Sequence, residues 1–195
     1  MAVGRPAGPQ FVIPAQEILA SAAIAAEKWQ LGQLYQELRT PHLAIHWAAC
    51  HQLLHNAVLC PNCQHPVTLV AREDCVDKCR WRCRTCNFVQ SVRSGSFFSG
   101  SKLEVCQIVV MMYCWACDMS QKQISREAGV MEGGHAVGDW CNFFRDECKN
   151  FLDRNSQISR IDDNEEAMVV EIDESKFFHR KYHRGQWRED HWVFG

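Results

Sequence analysis

The chain has no apolar run long enough to cross a bilayer. Its most hydrophobic stretch, "LEVCQIVVMMYCWAC" at 103–117, falls short of the roughly 20 residues a spanning helix needs and carries Glu104 and Gln107. It has no excess of positive charge either, with a formal net charge of −2 and a pI near 6.5, which argues against a uniformly basic nucleic-acid binder. The first residues do not show a secretory pattern, because Pro14, Gln16 and Glu17 break the apolar stretch from Phe11 to Ala26, so no leader is expected. The expectation is an intracellular protein, not secreted and not membrane-bound. Its twelve cysteines are then reduced or metal-bound.

What is there is enough apolar material, 47% of 195 residues, for one large domain or two to three small ones. Charge is segregated. Residues 72–93 hold six basic side chains against three acidic ones, and 176–193 hold five against two. Residues 155–175 hold seven acids against Arg160 alone. Two basic patches flank an acidic segment.

The strongest local signal is a pair of CxxC knuckles, "CPNC" at Cys60 and Cys63 and "CRTC" at Cys83 and Cys86, separated by 19 residues. Two residues between cysteines let both thiolates reach one ion, and an insert of hairpin length brings the second pair round to complete a tetrahedron. The expectation is a structural zinc ribbon held by these four. Cys75, Cys79 and His65 remain competing ligands. Within the insert, "VTLVA" and "KCRWRC" alternate as two strands of a hairpin, which puts Arg80, Arg82 and Arg84 on one face and Cys79, Trp81 and Cys83 on the other. Such an arginine row suits phosphate contact or a solvated edge. "FVQSVRSGSFFSG" looks like a third strand and a turn.

Around the ribbon the periodicity is helical. Residues 1–10 read as a loose tail, and 14–38 as a helix with Ile18, Leu19, Ala22, Ala26 and Trp29 on one face. Thr40–Pro41 opens a second helix to about His55, whose Cys50, His51 and His55 are either ligands or, as the preferred reading, a solvated face. Residues 103–117 form a buried helix, in which Cys106, Cys114 and Cys117 read as small core residues. Ser120 and Gln123 make a capping box, and Gly129 closes the short helix that follows. A further helix carries Val137, Cys141, Phe144, Cys148 and Phe151 as an apolar stripe, with His135, Asp139, Asn142 and Arg145 outward. Together these make a helix-turn-helix candidate. Polar, acidic "RNSQISRIDDNEEA" reads as a linker.

The last stretch is "AMVVEIDESKFFHRKYHRGQWREDHWVFG". Met168 to Ile172 reads as a buried strand that delivers Asp173 and Glu174 at its end, where either a divalent cation or Arg180 or Lys181 meets the charge. "VEIDES", "RKYHRG" and "HWVFG", in that order, resemble the start of the catalytic domain in Merlin-type DDE transposases, eukaryotic relatives of bacterial ISXO2-like insertion-sequence enzymes. The four-cysteine ribbon, "RSGSFFSGSKL" and a helix-turn-helix-like segment ahead of it are similar too, so the resemblance covers roughly residues 40–195. The acidic "DDNEEA" departs from the glycine-rich turn expected before the catalytic strand.

The resemblance implies a DNA-binding protein related to cut-and-paste transposition, in which Asp173 is the first acidic ligand of catalytic magnesium and the partner is DNA. It also implies a nuclear location and leaves a homo-oligomer open. A small-molecule substrate is not expected. The later acidic residues of the family have no counterpart before Gly195, so whether the chain is an enzyme stays open and it is expected to be catalytically incomplete as given. Arg80, Arg82, Arg84, Arg180, Lys181 and Arg184 are the expected DNA contacts. The alternative is a zinc-ribbon adaptor making protein contacts in transcription or chromatin. The expected architecture is α+β and multi-modular: an N-terminal tail and helices at 1–57, the ribbon at 58–100, the helical segment at 101–154, and a linker with the first strands of a ribonuclease-H-like domain at 155–195.

Overall fold

The computed structural model describes residues 8–132 and 134–155 and, as backbone only, 174–177 and 191–194. Among these, six α-helices and a small three-stranded antiparallel sheet give a mixed α+β protein. The chain divides into two compact units, Met1–Cys148 and Lys149–Gly195.

In the first unit, α1 (Ser21–Ala26), α2 (Leu31–Glu37) and α3 (Pro41–Cys50) precede the sheet. α3 starts as its sequence dictates. The Thr40 hydroxyl accepts the Leu43 N–H and Pro41 occupies the first turn. The sheet follows, with β1 (Thr68–Ala71), β2 (Cys79–Arg82) and β3 (Val89–Ser91) in the order β1-β2-β3. Its register sets Leu69 opposite Trp81, and Arg80 opposite both Val70 and Ser91. Next come α4 (Val105–Ala116), α5 (Gln121–Glu127) and α6 (His135–Asn155). The core is continuous from helices to sheet, with Ile45, Val67, Trp81, Phe98, Ile108, Met111 and Ile124 at most 2% exposed.

Several local signals hold. α4 is buried through Val105, Ile108, Val109, Val110, Met111 and Cys114. Ser120 caps α5 and Gln123 returns its own side chain to the Ser120 N–H. Gly129 stands at φ +62°, the left-handed turn that ends the helix.

Five expectations are corrected. The 14–38 stretch is not one helix but a 3-10 turn at Ala15–Glu17 followed by α1 and α2, because contacts of Leu19 and of the Glu27 side chain with the end of α3 hold the chain extended between them. The Leu19 N–H donates to Cys50 O, and at Glu27 (ψ 141°) the chain crosses to reach His51. The tail is anchored from residue 8 onward. The Leu69 N–H donates to Pro9 O at 2.7 Å, Asn56 holds both the N–H and the carbonyl of Ile13, and Ile13 is fully buried.

α3 stops at Cys50, where Gln52 at φ +59° turns the chain, so His51 and His55 do not share a solvated face. His51 is buried, stacked on Trp47 at 3.8 Å, with Nε2 2.8 Å from Glu27 and Nδ1 2.7 Å from Trp47 O. His55 sits with Nε2 3.0 Å from Gly95 O. The apolar stripe of α6 is buried only as far as Phe144. Cys148 and Phe151 are exposed, and so is Cys117, whereas Cys106 is half-buried.

In the second unit β4 (Glu174–Phe177) pairs antiparallel with β5 (His191–Phe194), setting Glu174 opposite Phe194. The strand expected at 168–172 lies outside the described residues.

Candidate metal centre and basic face

Two short loops with the same backbone plan carry the four knuckle cysteines. In the first, the Cys60 N–H donates to His65 O at 2.9 Å and Gln64 adopts φ +59°. In the second, the Cys83 N–H donates to Phe88 O at 2.8 Å and Asn87 adopts the same φ. Each loop folds its two thiols to one side. The pairing of β1 with β2 then brings the loops together.

The sulfurs lie 3.3 Å apart for Cys60 and Cys86, 3.4 Å for Cys63 and Cys83 and 3.8 Å for Cys63 and Cys86, with all four within 4.8 Å of one another. Tetrahedral coordination at about 2.3 Å from each sulfur places them about 3.8 Å apart, so the set fits an ion of the zinc class. It is not a pair of disulfides, since all twelve cysteines are free.

Electrostatics agree with a cation. The Cys86 backbone N–H, countered by desolvation and helped by Cys63, draws the Cys83 thiol down to about 6. Cys63 receives the His65 N–H, which favours its thiolate, but desolvation and the sulfurs of Cys83, Cys60 and Cys86 push it up to about 12. Four thiolates so close repel one another, and a divalent ion removes that penalty.

The competing ligands fall outside the cluster. The Cys75 thiol donates to the carbonyls of Arg72 and Cys79. Burial, and then Asp77, pushes the Cys79 thiol up to about 12, as befits a core group. His65 Nδ1 is 2.9 Å from Cys63 O.

The alternation expected in β2 is present. Trp81 and Cys83 are fully buried, Arg82 and Arg84 exposed and Arg80 half-buried. With Arg72, the three arginines line a groove of about 750 Å³ along β1, together with Thr68, Val70 and Asn87. Arg82 donates to Asn87 Oδ1 at 3.1 Å, while Arg80 Nε is buried with no hydrogen-bond partner among the described residues.

Two members of the basic stretch are neutralised locally. Arg72 pairs with Asp74. Arg93 is buried against Asp77, with Nε 2.7 Å from Oδ2, and also donates to Leu103 O. Sequence reasoning counted Arg93 and Asp77 as surface charge, and nothing in their spacing marks them as a buried pair.

His135, Asp139, Asn142 and Arg145 are exposed on α6 as expected. Asp173, Arg180, Lys181 and Arg184 lie outside the described residues. No described helix is long and apolar enough to cross a membrane.

Fold and site together define a mixed α+β protein with a four-cysteine cluster able to hold a metal ion such as zinc. Comparison with protein-family models, curated proteins and solved structures found no match to this chain.

Proposed function

We propose that the chain is a DNA-binding protein of the transposase-derived kind, in which a zinc ribbon grips duplex phosphates and a helix-turn-helix-like segment of α4 to α6 follows it. The observation that carries this reading is the groove beside β2, one wall of which is formed by Arg80, Arg82 and Arg84 in a row. Guanidinium groups along one strand face can donate charge-assisted hydrogen bonds to phosphate oxygens, which are stronger than neutral ones. Zinc is the ion of choice because four thiolates at tetrahedral spacing match its softness and geometry.

The resemblance to Merlin-type transposases supports the order of modules, the ribonuclease-H-like start of the second unit and a nuclear location. In the same reading Asp173 is a magnesium ligand and Arg180, Lys181 and Arg184 add to the DNA contacts. Magnesium held by such acids activates a water or 3′ hydroxyl for strand cleavage.

Affinity for duplex DNA is expected to fall steeply with salt, and Arg80→Ala/Arg82→Ala/Arg84→Ala to reduce the slope of log affinity against log salt by about 2–3. Fluorescence anisotropy across a salt series checks this. An unchanged slope overturns the phosphate role, and binding that ignores salt favours the protein-contact adaptor.

A further inference from the structure

Away from the four-cysteine cluster, a second set of ligand-type side chains meets at the C-terminal end of α3. His46 and Cys50 are four residues apart and so share a helix face, with Cys50 Sγ 3.6 Å from His46 Nδ1. Glu17, closing the 3-10 turn, reaches the other ring nitrogen, with Oε2 2.8 Å from Nε2. The segment carrying Glu17 is tied down there. The Leu19 N–H donates to Cys50 O at 2.9 Å, and Gln52 Nε2 donates to Leu19 O. Thiol, imidazole and carboxylate thus lie within 4.8 Å of one another, half-buried at His46 and Cys50 and open to solvent at Glu17.

The distances fit a metal as well as they fit a chain of hydrogen bonds. In a tetrahedral zinc site, ligand distances of about 2.3 Å to sulfur and 2.0–2.1 Å to nitrogen put the two ligands about 3.6 Å apart. The Cys50–His46 spacing is that edge. A carboxylate on the far nitrogen takes the Nε2–H, which turns the Nδ1 lone pair toward Cys50, and this is how a ligating imidazole is commonly oriented. The same chain could activate a nucleophilic thiol. Cys50, however, is the last residue of its helix, where the helix dipole opposes a free thiolate and favours a cation.

We propose that Cys50 and His46, oriented by Glu17, form a second site for a thiophilic divalent cation of the zinc class, with its remaining coordination positions open. This inference does not rest on the DNA-binding reading or on the ribbon.

The experiment uses the full chain, reduced, equilibrated with zinc, freed of loosely held ion, and measured by elemental analysis and zinc-edge X-ray absorption. Two ions per chain are expected in the wild type, with nitrogen or oxygen ligands near 2.0 Å beside sulfur. One ion is expected to remain in Cys50→Ala and in His46→Ala, with unchanged circular dichroism. Glu17→Gln should weaken the second ion by about 10–100-fold without changing the first. A wild type holding one ion that is lost in Cys50→Ala but kept in Cys83→Ser supports this site and overturns the ribbon. Two ions retained in Cys50→Ala, or an all-sulfur shell in the wild type, overturns the proposal. The shell measurement needs no variant, so it decides the matter even if a substitution prevents folding.

Discussion

Asp77 and Arg93 form an ion pair that water barely reaches, with side chains 9% and 5% exposed. Asp77 sits in the turn between β1 and β2, and Arg93 lies beyond β3 and donates onward to Leu103 O, just before α4. The pair therefore ties the hairpin to the helical segment. Removing one partner leaves a buried charge unanswered, which costs far more than the pair itself contributes. Asp77→Ala is expected to lose about 3–5 kcal/mol in urea unfolding with little change in slope. Asp77→Ala/Arg93→Met should lose clearly less than the single variant, since no charge is then stranded. Equal losses in both would mean that Arg93 is not the group being answered.

The two cysteine loops show what an element of five residues must solve. Each needs a residue in the left-handed region directly after its second cysteine, and the chain places Gln64 and Asn87 there. Asparagine tolerates that conformation, and its Oδ1 also accepts from Arg82. Glutamine has no such compensation among the described contacts: its amide only donates to Pro61 O, at 3.4 Å. Replacing it by glycine relieves about 1–2 kcal/mol of backbone strain at about 0.4–1 kcal/mol of unfolded-state entropy. Gln64→Gly is thus expected to stabilise by about 0.5–1 kcal/mol. Asn87→Gly should gain less, or lose, when the two are compared by thermal melting at one metal concentration.

In the first unit the ribbon and helices are not separate bodies, since Cys60, Val67, Trp81 and Cys83 belong to the same core as Ile45, Ile108 and Met111. Removing the ion therefore should not fray the sheet alone. Four crowded thiols without a cation either protonate or repel, and the hairpin that buries Trp81 loses its closure. Chelation is expected to lower the melting temperature of the unit as one transition, with far-ultraviolet helix signal and tryptophan emission changing together. Two separated transitions would show that the shared core does not couple them.

The sequence by itself determined what depends on short spacing. Two residues between cysteines set thiol reach, alternation along "KCRWRC" set which residues face the core, and Ser120, Gln123 and Gly129 set the ends of α5. These are local constraints, met by neighbours in the chain. Tertiary structure decided which of twelve cysteines meet. Cys75 and Cys79 have the same chemistry as Cys60 and stand close in sequence, yet the register of β1 with β2 leaves them out. It also decided that Pro14–Leu38 breaks into pieces, because Leu19 and Glu27 satisfy partners at Cys50 and His51 that no helical period announces. The burial of Arg93 and His51 and the approach of Glu17 to His46 have the same origin. Each depends on a contact more than fifteen residues away in the chain, and its free energy comes from a partner that composition and spacing do not place.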